Sequence, residues 1–320
     1  MLTMFTLLLS AIVAAAPAQT SAANCAPATG FTGTVCTPGT PGRHPAILLL
    51  GGSEGGDSMK AAAPNFAQAG YVAITVPYFK MPGMPQELVE IPVETVGRAL
   101  QATSKRDDVD PKKIALFGIS KGGELALLAA STYPQIKAVI ADVPSPFAWE
   151  GIPQGPEAVG SSWTLGGKPV PYVAYGPTMG QVNMDAYTQH KPLDLRIGYD
   201  ASMKENADAI TPATFHLERI AGPVMFLAAD DDQIWNSPAQ SEMAMQYLHQ
   251  HNHAFHDVYV HYPNAGHLFL FASPQRPMNQ VQFGPITLLM GGTPQGDLAA
   301  QRNAWPKVMQ FLENALGAGT

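Results

Sequence analysis

Residues 114–127 read IALFGISKGGELAL, and the architecture turns on them. IALFG is apolar throughout, as a strand covered on both faces must be. The following ELALLAA is helical in composition, so Ser120 falls at the turn between strand and helix. Glycines at 118 and 122 relieve crowding at a sharp turn of this kind. The letters G-x-S-x-G are also compatible with an ordinary strand-to-helix turn whose serine caps the helix. The rest of the chain has to decide.

Working outward, HPAILLLGGSEGG (44–56) is an apolar run ending in glycines, and YVAITVPYF (71–79) is a second. DSMKAAAPNFAQAG (57–70) is helical between them. ELVEIPVETVGRALQATSK, from 87, predicts another helix, and DDVDPKKIALFG leads into the third strand. KAVIADVP from 137, GPVMFLAADDD from 222 and HDVYVHYPNAGH from 256 predict the fourth, fifth and sixth strands. SPAQSEMAMQYLHQH and the terminal DLAAQRNAWPKVMQFLENAL supply further helices. Apolar strands separated by helices define a mostly parallel, doubly wound α/β sheet covered on both faces. Residues 144–214 break the rhythm: they are rich in glycine, proline and aromatics, show no clear strands, and read as a lid or substrate-pocket insertion.

In an open parallel sheet, functional groups gather at the carboxyl ends of the strands. Three fall there in the order Ser120, Asp232, His267. A serine hydroxyl is a weak nucleophile until an imidazole takes its proton, and a carboxylate must fix the tautomer of that imidazole. The order serine, aspartate, histidine is that of α/β-hydrolases. Asp230 and Asp231 adjoin Asp232 and remain alternatives for the acid, with Asp232 preferred. An oxyanion needs two backbone N–H donors. The amide of Lys121 is one, and the glycine-rich loop GGSEGG offers Ser53 as the other, with Glu54 second. Trp163, Tyr172 and Tyr175 in the insertion are candidates for an acyl pocket. Glu124 is expected to support the start of the helix rather than the chemistry.

Composition bounds the remaining possibilities. The chain has 320 residues, 46% of them hydrophobic, with a net charge of −7 and no run of Lys or Arg. That excludes a nucleic-acid binder and disfavours anionic membranes. His249, His251, His253 and His256 are irregularly spaced at a helix end and read as a solvated surface rather than metal ligands. No metal or organic cofactor is required. Residues 1–23 carry an apolar run followed by small residues, the pattern of a secretory signal peptide cleaved after Ala18 or Ala23. The protein is therefore expected to be secreted or periplasmic, and cytoplasmic only if that segment is not a signal. Residues 24–44 read as an N-terminal tail in which Cys25 and Cys36, the only two cysteines, pair in an oxidising compartment. Residues 45–320 then form the catalytic domain.

With these residues in place, the chain resembles the C-terminal catalytic domain of the acyl-CoA thioester hydrolase and bile acid-CoA:amino acid N-acyltransferase family. GISKGGELALLAAS, SSWTLGGKPVPYV, GPVMFLAADDDQIWNS, YPNAGHLF and GGTPQGDLAAQRNAWPKVMQFL carry the resemblance, which covers most of residues 45 to 316. It implies an α/β-hydrolase fold and a nucleophile, acid and base at Ser120, Asp232 and His267. The family's amino-acid-conjugating members resemble one another in using cysteine as nucleophile. Serine here therefore implies hydrolysis of a small-molecule acyl ester or thioester rather than transfer to an amine. The N-terminal β-sandwich domain of the animal enzymes is not expected, since fewer than fifty residues precede the first core strand. A dienelactone-hydrolase-like or peptidase-like enzyme would use the same three residues, and an exported binding protein is the non-enzymatic alternative.

Overall fold

The computed structural model describes residues 23–153, 155, 160–271, 278–283 and 286–317. The segment read as a signal peptide lies outside them, except for Ala23. Eight strands form the main sheet: β1 (Asn24–Pro27), β2 (Thr34–Thr37), β3 (His44–Leu50), β4 (Val72–Thr75), β5 (Val109–Ile119), β6 (Ile136–Asp142), β7 (Val224–Ala229) and β8 (Val258–Tyr262). Their spatial order is β1-β2-β4-β3-β5-β6-β7-β8. From β4 to β8 every pairing is parallel, with Leu48 opposite Leu116 and Leu227 opposite Val260. β1 and β2 are antiparallel to their neighbours.

The apolar runs are continuous because both faces of the sheet are buried. Side chains alternate along a strand, so Leu48, Leu116 and Phe226 point into one core and Ile47, Phe117 and Met225 into the other. Helices α2 (Glu94–Ser104), α3 (Lys121–Thr132) and α7 (Ser237–Gln250) cover the first face through Val96, Leu125 and Leu248. Helices α1 (Ala63–Gln68) and α8 (Pro294–Leu316) cover the second through Phe66 and Phe311. Fully burying one such leucine or phenylalanine contributes about 1.5–3 kcal/mol.

Three expectations need correction. Residues 24–44 are not a tail: β1 and β2 add a hairpin to the sheet edge, where Cys25 and Cys36 are direct cross-strand partners joined by a disulfide. Strands this short, one of them ending in proline, carry little periodic signal and suit an edge. The helix expected from residue 87 starts only at Glu94. Pro92 cannot donate a hydrogen bond and biases Ile91 towards extended backbone, so Ile91–Pro92 instead pairs with Trp163 and Thr164.

The insertion does contain strands, though short ones: Ala148–Trp149, Trp163–Leu165, Lys168–Pro169 and Tyr172–Val173. Its second half is helical, comprising α4 (Pro177–Gln189), α5 (Leu195–Glu205) and α6 (Ala207–Ala213). A bridge between Phe147 and Thr214 closes its base. Its Phe147, Trp149, Tyr175 and Tyr199 form a third apolar cluster with Trp235 and Met290.

Candidate active site

Ser120 lies between β5 and α3 with φ 55° and ψ −122°, a combination that non-glycine residues adopt only under constraint. The glycines around it show the cause. A Cβ on Gly118 would stand 2.0 Å from the carbonyl oxygen of Gly122, and one on Gly122 would stand 2.1 Å from that of Gly51. Strand, helix and glycine-rich loop are therefore in contact at this turn. The Ser120 side chain makes no capping bond to α3. The Lys121 amide, ahead of the first helical bond from the Glu124 amide to the Ser120 carbonyl, is thus left available at the positive end of the helix dipole. An ordinary serine cap would have used an amide of the first helical turn.

Asp232 follows β7 and His267 follows β8. The His267 Nδ1 lies 2.8 Å from Asp232 Oδ2, with Asp232 fully buried and His267 only 3% exposed. Asp232 Oδ1 accepts from the amides of Ile234 and Trp235. An ionised carboxylate can only accept, so Nδ1 carries the proton of a neutral His267, and Nε2 presents its lone pair. The other two aspartates turn elsewhere: Asp230 meets His261, and Asp231 accepts from the Gly292 amide.

The segment Met290–Gly292 ties these loops together. Its Met290 carbonyl accepts from the His267 amide, and Gly291 bridges Asp232. Asp297, at the start of α8, accepts from the Gly266 amide. The sequence signal for this latch is the GGTPQGD segment, one of those that carry the family resemblance.

Ser120 is 7% exposed, and its hydroxyl makes no hydrogen bond among the described residues. Contacts between nucleophile and base are commonly long in free enzymes and tighten with substrate. The loop after β3 lies against it, since a Cβ on Gly52 would be 3.4 Å from Ser120 Cβ. Tyr78 donates to the carbonyls of Gly51 and Gly52. In a trans peptide the N–H points opposite the carbonyl, so this bond turns the amide of Ser53, an exposed residue, away from Tyr78. The Gly52 amide is already taken, donating to the folded-back Glu54 carboxylate.

The pocket candidates separate. Trp163 is fully buried in the first core, where its indole donates to Glu124, and Tyr172 packs against that same core. Tyr175 joins the third cluster, meeting Tyr199, whose ring packs on Trp235. Trp235 in turn packs edge-on against His267 at 5.6 Å and donates to the Val143 carbonyl. Trp149, Tyr199 and Trp235 are the aromatics that sequence reasoning missed.

Glu124 does more than support a helix start. It is fully buried and holds the equally buried Lys121 ammonium at 2.7–2.8 Å, while Trp149 and Trp163 donate to it. Burial pushes the Glu124 carboxyl up and the Lys121 ammonium down, and the bonds between them oppose both shifts. With this many donors on one carboxylate, the pair is ionic.

The histidine cluster is not uniformly solvated: the His253 side chain is buried between Asp257 and the Ile220 carbonyl. Among the described residues no group of three or more His, Cys, Asp or Glu is arranged to hold a metal. No helix among them is long and apolar enough to cross a membrane.

An eight-stranded, mostly parallel sheet with a strained serine after β5 and an Asp–His pair after β7 and β8 defines an α/β hydrolase. A putative dienelactone hydrolase from Klebsiella pneumoniae superposes over 91% of this chain and 98% of its own, with a TM-score of 0.53 and 15% identity. Residues 91–318 match the model of the BAAT / acyl-CoA thioester hydrolase C-terminal family, and the chain belongs to that family. Acyl-coenzyme A thioesterase 6 of Mus musculus is 25% identical over 88% of this chain and 62% of its own length. Bile acid-CoA:amino acid N-acyltransferase of the same organism is 24% identical over 89% of this chain and 63% of its own. The chain thus spans about three fifths of the length of these two relatives.

Proposed function

We propose that this protein is an exported serine hydrolase that cleaves an acyl ester or thioester through an acyl-Ser120 intermediate. The observation that carries the reading is the buried 2.8 Å contact between Asp232 and His267, at the same sheet end as a serine held in a strained turn.

His267 Nε2 takes the Ser120 proton as Oγ attacks the acyl carbon, and Asp232 stabilises the resulting imidazolium. The amides of Lys121 and Ser53 hold the oxyanion. Collapse expels the alcohol or thiol, which leaves with the proton from His267. Water, activated by His267 in the same way, then releases the acid. The aromatic cluster around Tyr199 and Trp235, next to His267, is apolar and suits the acyl group. Relatives named for thioester hydrolysis and for acyl transfer support acyl chemistry. Export is supported by the disulfide, which persists in oxidising compartments, and by the apolar leader.

The test is fluorophosphonate labelling of the mature protein beside Ser120→Ala, with turnover of aryl esters, acyl-CoAs and a simple amide. Wild type should label at Ser120 and hydrolyse an ester or thioester. The alanine variant should stay folded and lose roughly a millionfold in kcat. A folded wild-type protein that neither labels nor turns over would replace this reading with that of a binding protein.

A further inference from the structure

Asp142 ends β6 and takes no part in the chemistry above, yet it touches the structure around each of the three residues. Its carbonyl accepts from the Ser120 amide at 2.9 Å. The next residue, Val143, has φ 42° and offers its carbonyl to Trp235, the residue packed on His267. The Asp142 carboxyl is fully buried and both of its oxygens lack a hydrogen-bond partner among the described residues. Its cross-strand neighbours, Ile119 and Leu227, are apolar.

An ionised carboxylate without donors does not persist in such a place; it takes up a proton instead. We propose that Asp142 is a positioning residue of the site: held as a neutral carboxylic acid, it keeps a second negative charge out of the space beside Asp232, and loss of its proton sets the alkaline limit of turnover. The proposal rests on Ser120, Asp232 and His267 acting as described above.

Burial and the negative charge of Asp232 favour this assignment. From the loop after β7 comes Asp232, with His267 bonded to it, and its negative charge adds to burial in pushing the Asp142 carboxyl well above the usual range. From β8 comes the Tyr262 hydroxyl, also buried and without a hydrogen-bond partner among the described residues, whose pKa burial pushes up. From α8, the Lys307 ammonium stands 5.7 Å over the Tyr262 ring, and its charge works against the two effects of burial and Asp232. Ionising Asp142 would set two carboxylates against each other in an apolar setting and displace the strand end that holds Ser120.

The experiment is the pH dependence of kcat/KM for wild type, Asp142→Asn and the apolar Asp142→Leu, on protein first shown to label at Ser120. Above its limit the wild type should lose roughly tenfold per pH unit, as one ionisation requires. Asp142→Asn should match the wild type at neutral pH and hold that rate across the same alkaline range. Tyr262 and Lys121 remain in the variant, so a limb due to either would persist there and overturn the proposal.

Thermal unfolding gives a second readout with a defined sign. A carboxyl raised in the folded state costs stability as pH rises from the ordinary carboxylate range towards the folded value. The Tm of Asp142→Asn should therefore gain on that of wild type over that interval, and a constant difference would count against the proposal. If neither variant folds, the wild type alone decides. An infrared carbonyl band of a protonated carboxylic acid should vanish along the same curve as activity, and an activity limb without that change overturns the assignment. Wild type that fails to label sinks the serine-hydrolase reading; labelling with an unchanged limb sinks only the role of Asp142.

Discussion

At the scale of single residues, the site depends on atoms that glycine leaves out. Gly122 brings α3 so close to the loop after β3 that an added Cβ would stand 2.1 Å from the Gly51 carbonyl and 2.5 Å from that of Leu50. Both obstacles are backbone, so no rotamer change relieves them, and the loop carrying Ser53 has to move. Gly122→Ala is therefore expected to cost about 1–3 kcal/mol of stability by overpacking. Turnover should fall further than stability alone predicts, by roughly 10²–10³, as for loss of an oxyanion donor. Urea unfolding and ester hydrolysis on the same preparation measure the two effects. Loss of stability with turnover intact would remove the Gly51–Ser53 loop from the chemistry.

At the scale of elements, α3 is anchored by charge as well as by apolar contact. Lys121 and Glu124 are one turn apart and both buried, and the Lys121 ammonium also lies 5.3 Å from the Trp163 ring centre. The pair thereby joins the helix behind Ser120 to the insertion, through Trp163 and the Trp149 amide. Removing one partner strands the other charge, so Lys121→Met or Glu124→Gln alone should cost about 3–5 kcal/mol in urea unfolding. Lys121→Met combined with Glu124→Gln removes both charges and keeps an oxygen facing the two tryptophans. That double variant should recover at least half of the single-variant loss. Additive losses in the double-variant cycle would show that the two side chains do not act as a pair.

At the scale of the whole molecule, stability and chemistry sit at different places in the sheet. The Cys25–Cys36 hairpin forms one edge, separated from β5 and Ser120 by β4 and β3. It closes a short loop, with a sequence separation of 11. Replacing both cysteines by serine should cost about 2–4 kcal/mol, mainly by freeing the unfolded chain, while kcat/KM of the folded protein stays unchanged. Unfolding with and without reductant, beside turnover, checks both halves. A change in kcat/KM would mean that the edge communicates with the site. The insertion behaves differently, since its base is closed at Phe147 and Thr214 while its aromatics reach Trp235 beside His267.

The sequence alone determined the six parallel strands, most of the helices between them, and a serine, an aspartate and a histidine at the strand ends. Each is a local signal: period, length and turn composition are set by neighbours along the chain. It preferred Asp232 among three adjacent aspartates but left Asp230 and Asp231 open, because which of them meets His267 depends on how the loop after β7 closes on the segment from Met290 to Gly292. Trp163 read as a pocket aromatic for the same reason: its partner Glu124 lies 39 residues away. Asp142 read as the ordinary end of an apolar strand. Only the tertiary structure set it between apolar Ile119 and Leu227, left both its oxygens without a donor among the described residues, and placed it near Asp232. Desolvation and charge proximity depend on what packs around a group in space, and no local stretch of sequence encodes them.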